Sequence, residues 1–362
     1  MLSTSVRHEL RATVVAMAAV LASYGSALLL EHLAHLRIDV VVLSVVLSLT
    51  LARTQRVAFA ADRLLGLGVL PLAALAADAV GSLIARHPNI GDALFVLGVC
   101  ATVWIRRFGR HAARIGAMAV LPFVSVLVLQ GPVGAPTGAA HAGWVALVAL
   151  IAAGWVLVVQ VGAWKLGLGE RAWPERRPEP QAAAVPRHRI RPSSRLALQM
   201  GVALGAAFAV GRYAFPAHWP WVVLTAFIVC SGARERTDVL HKGVLRAAGA
   251  AVGTLVATGI AGAFGPGDRL SVVLIFVTLA LATWLRSASY AFWAAGVTAA
   301  LALMYGYFGE SAPALLWTRL LEILIGAALG IAASWLVLPV RRRIAVRPGK
   351  SGPHPILPSG ST

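Results

Sequence analysis

Charge is what this sequence has least of. Only 13% of its 362 residues are Asp, Glu, Lys or Arg, and 14 residues in all are acidic. A soluble domain carries roughly 25% charged residues, so a chain this poor in charge cannot clothe a water-facing surface. Cysteine is nearly missing too. Cys100 and Cys230 stand alone inside apolar runs, which excludes a disulfide framework and a thiolate metal site and leaves two small buried hydrophobes. His32 and His35 share an outer loop with Glu31 but have no further ligands at metal-binding spacing, so no metal is expected. The sequence has no Walker loop, Gly-x-Ser-x-Gly elbow, His-Glu-x-x-His pair or dinucleotide fingerprint. Nothing points to an enzyme or to a cofactor.

What is present is apolar surface: 59% of residues are hydrophobic and the mean hydropathy is +0.78. It falls in continuous runs rather than in the alternating segments of about ten residues that a transmembrane barrel requires. Twelve runs can be drawn, at 12–30, 38–52, 64–85, 90–105, 115–130, 143–163, 196–214, 219–232, 244–264, 270–285, 289–308 and 315–338. Most approach the ~20 residues that cross about 30 Å of hydrocarbon as a helix. The second, fourth and eighth are short, which leaves ten full crossings as the alternative. The expected fold is all-α, a polytopic membrane helical bundle. The first run follows Arg7 and Arg11 like a secretory signal, but its length predicts a retained first helix.

A net charge of +18 would suit nucleic acid if it were gathered on one surface. It is not: 27 of the 32 Lys and Arg residues fall in alternate loops and both termini. That is the distribution of cytoplasmic loops. It excludes a nucleic-acid partner, places both termini in the cytoplasm, and makes the bacterial-type inner membrane the expected location, with membrane lipid as a partner. Residues 164–195, rich in Pro, Arg and Lys, cannot bury enough apolar surface to fold alone. They read as a basic cytoplasmic linker, and 341–362 as a basic disordered tail.

The stretch from Trp219 to Ala257 is echoed by Val41 to Leu75. Both place Arg-x-x-Gly at the start of a second run, Arg63 to Gly66 and Arg246 to Gly249. Ala101-Thr102-Val103-Trp104-Ile105-Arg106 likewise parallels Leu281-Ala282-Thr283-Trp284-Leu285-Arg286. Two six-segment repeats are therefore expected, 1–163 and 196–340, with the same orientation and a substrate path between them.

Buried charge is expensive in lipid, which singles out Asp78 in the third run and Arg319 and Glu322 in the last. Arg319 and Glu322 are three residues apart and can pair on one helix face. They read either as an arginine for an anionic substrate with Glu322 or Asp78 carrying a proton, or as a structural ion pair. Arg63 and Arg246 read as path-lining cations or as interfacial anchors. Gly249 and Gly253, and Gly326 and Gly330, have the four-residue spacing of close helix packing, as do Gly201 and Gly205. Trp219 and Trp221 mark an aromatic belt at the outer interface.

The stretch WPWVVLTAFIVCSGARERTDVLHKGVLRAAGAAVGTLVA, followed by RLLEILIGAALGIAASWLVLP from Arg319 to Pro339, resembles the fusaric acid resistance, or aromatic acid exporter, family of membrane transporters. Arg246, Gly249 and Gly253 match its Arg-x-x-Gly-Thr-x-x-Gly pattern, with Ala250 in place of the threonine. The first half lacks the closing Arg…Glu…Gly helix, and the linker and tail stand where larger members carry cytoplasmic domains. The resemblance implies proton-coupled export of small organic anions, aromatic carboxylates among them. An uncoupled anion channel and a non-transporting membrane scaffold remain alternatives, and a homo-oligomer stays open.

Overall fold

The computed structural model describes residues 4–36, 38–54, 60–129, 139–167, 192–231, 236–261, 265–309 and 314–337. Among these the chain forms twelve α-helices and no strand. They are α1 (Thr4–Ala34), α2 (Asp39–Thr54), α3 (Ala60–Arg86), α4 (Pro88–Trp104), α5 (Arg110–Leu129), α6 (Ala139–Lys165), α7 (Pro192–Ala214), α8 (Trp219–Cys230), α9 (Arg236–Ala261), α10 (Arg269–Leu285), α11 (Tyr290–Tyr307) and α12 (Ala314–Leu336). Each matches one apolar run of the sequence. Helix is the answer here because only a helix satisfies its own backbone in hydrocarbon without closing into a barrel.

Among the described residues eight helical stretches are long and apolar enough to cross a membrane, and Val40–Thr54, Trp219–Cys230 and Arg269–Leu285 are shorter. The fourth segment, expected to be short, is one of the eight. A 3-10 turn at Ile105–Phe108 continues α4, so the stretch Pro88–Phe108 reaches 21 residues. The tenth takes its place among the short helices. With 12 residues, α8 is about 18 Å long at 1.5 Å per residue. It begins at Pro220 in its first turn, where the missing N–H costs nothing.

The helix pairings repeat. α1 packs on α2 and α6 as α7 packs on α8 and α12; α3 packs on α5 and α6 as α9 packs on α11 and α12; α4 lies on α5 as α10 lies on α11. Between the halves α4 meets α7, α5 meets α8 and α1 meets α10. The largest apolar core draws on both halves, joining Leu47, Leu70, Phe95 and Phe123 to Met200, Leu204, Phe208 and Val222. Phe95 stands edge-on to Phe123 and Phe208, with ring centroids 5.9 Å and 5.5 Å away. The linker and the tail fall almost entirely outside the described residues; α6 ends at Lys165 and α7 begins at Pro192.

Small residues set the closest approaches. A Cβ on Gly249 would stand 2.5 Å from the Ala291 carbonyl oxygen and one on Gly253 2.1 Å from that of Ala295, so α9 and α11 touch backbone to backbone. A Cβ on Gly326 would stand 2.5 Å from the Val222 carbonyl oxygen, and one on Gly330 3.2 Å from the Val229 side chain. α12 lies on α8 through that face. Gly205 has nothing within 4 Å, so its spacing from Gly201 marks no contact.

Candidate functional site

Glu322 is the centre of the polar core. It sits in the third turn of α12 with its side chain fully buried. One carboxylate oxygen is 3.7 Å from Arg319 Nη1, and the other is 3.9 Å from Nδ1 of His218. Both separations exceed hydrogen-bond length. Among the described residues neither carboxylate oxygen accepts a hydrogen bond, and Arg319 Nη1 has no acceptor. A buried carboxylate held this way is costly to keep charged and unpaired. It is a site that gains by taking a proton or a donor.

Arg319 is held by rings rather than by oxygen. Its guanidinium carbon lies 4.3 Å from the Trp221 ring centre and 4.5 Å from that of Tyr305. The Trp221 indole N–H in turn donates to the Tyr305 hydroxyl at 3.2 Å. Cation–π contact is worth about 0.5–2 kcal/mol, more when desolvated, and it leaves the planar fork of N–H donors available. α8 supplies Trp221, its preceding residue His218 caps the start of that helix, α11 supplies Tyr305, and α12 supplies the ion pair.

Trp219 and Trp221 are thus not an aromatic belt facing lipid. They are 7% and 5% exposed. Trp219 packs on Phe208 and beneath Arg212, whose guanidinium carbon is 4.3 Å from its ring. The physical reason is that the Trp221 indole N–H donates to Tyr305 and the Trp219 ring seats Arg212 inside the bundle, which makes burial cheaper than an interfacial position.

Arg246 also departs from expectation. The ninth helix begins at Arg236 rather than near 244, so Arg246 is ten residues inside it. At 1% exposure it is buried rather than an interfacial anchor. Among the described residues its Nε and Nη2 have no hydrogen-bond acceptor. Arg63 lies near the start of α3, and its side chain is outside the described set. Asp78 is half-buried on α3, which packs on α4, α5 and α6, whereas α12 packs on α7, α8 and α9. The carboxylate of Asp78 and the Arg319–Glu322 pair therefore belong to different helix groups.

Sequence reasoning passed over three residues. Asp92 and Arg212 form a bidentate pair, Nε to Oδ2 at 2.6 Å and Nη2 to Oδ1 at 2.7 Å. It joins α4 to α7 and so one half to the other. His218 is the third; its position just before the Trp-Pro-Trp sequence was the available signal. Cys100 and Cys230 are free thiols, and no group of three or more metal-ligating side chains occurs among the described residues.

Among the described residues, twelve apolar helices with charge buried at helix–helix contacts mark a polytopic membrane protein. Residues 200–333 match the family model described as fusaric acid resistance protein-like, so this part of the chain is similar to that FUSC-type family. That interval contains Trp221, Arg246, Tyr305, Arg319 and Glu322. No curated protein and no solved structure matches the chain.

Proposed function

We propose that the protein exports small organic anions, aromatic carboxylates among them, across the cytoplasmic membrane in exchange for protons. It acts as a transporter and not as an enzyme, with both termini cytoplasmic as the arginine distribution requires. The observation that carries this reading is the Arg319–Glu322 pair. The two side chains sit 3.7 Å apart inside a candidate span, close enough to attract and too far apart to satisfy each other.

Such a pair can exchange partners. A carboxylate ligand takes the arginine fork in two parallel hydrogen bonds, and Glu322, relieved of Arg319, takes a proton. The rings of Trp221 and Tyr305 give an aromatic acid a surface beside its carboxylate. Arg246 and Arg63 serve as further cations of the anion route and Asp78 as a second proton-carrying group. Lipid-buried charges of this kind are retained where ions or protons must pass.

Reconstitution tests the reading. Proteoliposomes loaded with benzoate, hydroxybenzoate, malate or acetate should show net efflux of the aromatic acids, accelerated by an imposed pH gradient. Flux that ignores the gradient makes the protein a channel. An absence of flux for every anion, with lipid binding through residues 164–195 instead, makes it a scaffold.

A further inference from the structure

At the other end of α11 a second group of cations gathers around a single phenol. Arg246 and Arg286 both lie within electrostatic reach of the Tyr290 hydroxyl, and Lys242 Nζ is 5.7 Å from the Tyr290 ring centre. Lys242 is one helical turn from Arg246 and within its electrostatic reach. Trp293, one turn beyond Tyr290, carries Arg53 on its ring at 3.9 Å and Arg286 at 5.4 Å. The end of α2, the start of α9 and the turn joining α10 to α11 thus bring four cations to one place. Lys242 donates to the Ser231 carbonyl at the end of α8. No carboxylate pairs with Arg246 or Arg286 among the described residues.

This arrangement has an unmet requirement. Arg246 is buried, charged at any accessible pH, and retains donors on Nε and Nη2 that find no acceptor among the described residues. Its neighbour Lys242 repels it, and the single Tyr290 oxygen is shared between Arg246 and Arg286. Burying like charges without a counter-ion is strongly unfavourable, and a bound anion removes the difficulty. The Nε and Nη2 edge of a guanidinium has the spacing to grip two oxygens of one oxyanion.

We propose that Lys242, Arg246, Arg286 and Tyr290 form an oxyanion-binding site, with Arg53 and Trp293 at its rim. The ligand is a carboxylate or phosphate group. It comes either from a free organic anion in the cytoplasm or from the headgroup of an anionic lipid, since basic recesses between helices accept such headgroups. The site lies at the end that the arginine distribution assigns to the cytoplasm. A free anion bound here is the loading step of the proposed export. The binding claim itself needs no transport and does not rest on that reading.

The test uses the full-length protein in detergent and in nanodiscs. Free benzoate and inorganic phosphate are titrated at constant ionic strength set by chloride, while thermal unfolding is followed. Phosphatidylglycerol nanodiscs are compared with phosphatidylcholine ones by native mass spectrometry of retained lipid. Saturable stabilisation by benzoate or phosphate identifies a free anion, and selective retention of phosphatidylglycerol identifies a lipid; either supports the site. K242Q and R286Q should each raise the half-saturating concentration, or lower lipid retention, by about tenfold, the factor that 1.4 kcal/mol supplies.

R246Q should lose binding altogether yet unfold at or above the wild-type temperature without ligand, because an uncompensated charge has been removed. Binding unchanged in all three variants, or no saturable response to any probe, overturns the proposal. Counterflow measured on the same preparations separates the two readings. Binding without flux would sink the exporter and leave this site standing, whereas flux without binding would do the reverse.

Discussion

Asp92 and Arg212 clasp each other with two charge-assisted hydrogen bonds of 2.6 Å and 2.7 Å across the seam between the halves. The two side chains are 12% and 28% exposed, and Arg212 is also seated on the Trp219 ring. α4 and α7 are otherwise joined through apolar packing, with Cys100 donating weakly to the Ala197 carbonyl at 3.2 Å. The ion pair is therefore the polar contact that fixes how one half registers on the other.

Removing one partner should leave the other with partly desolvated donors or acceptors. R212Q and D92N are each expected to destabilise the protein by about 1.5–3 kcal/mol, the range for hydrogen bonds to charged groups. In a chain of this size that lowers the apparent melting temperature by about 2–4 °C. The exchanged double variant D92R/R212D should recover part of the loss. Equal melting temperatures for all four proteins would show the clasp to be idle.

The glycines divide by geometry. G253A puts a methyl group 2.1 Å from a backbone oxygen of α11, which cannot yield, so overpacking of about 1–3 kcal/mol or more is expected. G249A and G326A should behave alike, and G330A less severely because its nearest neighbour is a side chain. G205A meets open space and removes a helix-weakening residue, for a gain of about 0.5–1 kcal/mol. Thermal unfolding of the purified variants orders them, and a G205A loss as large as that of G253A would contradict this packing.

The helices were legible because lipid imposes one rule on every span: apolar side chains and an internally bonded backbone. The run lengths alone placed all twelve. Boundaries failed where charge lies inside a helix. Arg236, Asp238 and Lys242 make the first turns of α9 look like a loop, which put Arg246 at a helix start when it is ten residues in. Arg319 and Glu322 were visible as lipid-buried charge on one helix. Tyr305, a helix away, was not, because no pattern links it to Trp221. The aromatic pair Trp219 and Trp221 misled for the same reason. An interfacial tryptophan and a buried one with a partner look identical until the partner is placed.

The cradle around Arg319 separates charge from shape. R319K keeps the charge but loses both the fork and the flat face stacked on Trp221 and Tyr305. If the arginine receives the substrate carboxylate, R319K should raise the half-saturating concentration for aromatic acids about tenfold or more, and R319A further. W221F keeps a ring but removes the indole N–H donated to Tyr305, and it should cost only a few-fold. A pair that merely fastens helices would instead show lower protein yield with unchanged saturation in the molecules that fold. Initial rates of counterflow against concentration, normalised to folded protein, decide between them.

Glu322 carries the coupling prediction. In E322Q the amide remains buried and close in shape but can no longer carry a proton, and Arg319 loses its only nearby carboxylate among the described residues. Exchange of labelled for unlabelled anion needs no net proton movement, so counterflow in E322Q should persist. Net export driven by an imposed pH gradient needs one proton-carrying group, so it should fall to the rate seen without a gradient. H218Q tests the other titratable partner of the carboxylate besides Arg319 among the described residues, 3.9 Å away on a side chain 27% exposed. It should slow gradient-driven export while leaving counterflow intact, and added imidazole should restore it in H218A. D78N removes the second proton-carrying group and should slow gradient-driven export less than E322Q does, with counterflow near wild type. If D78N uncouples instead and E322Q does not, the proton passes through the first half and the pair on α12 serves only the anion.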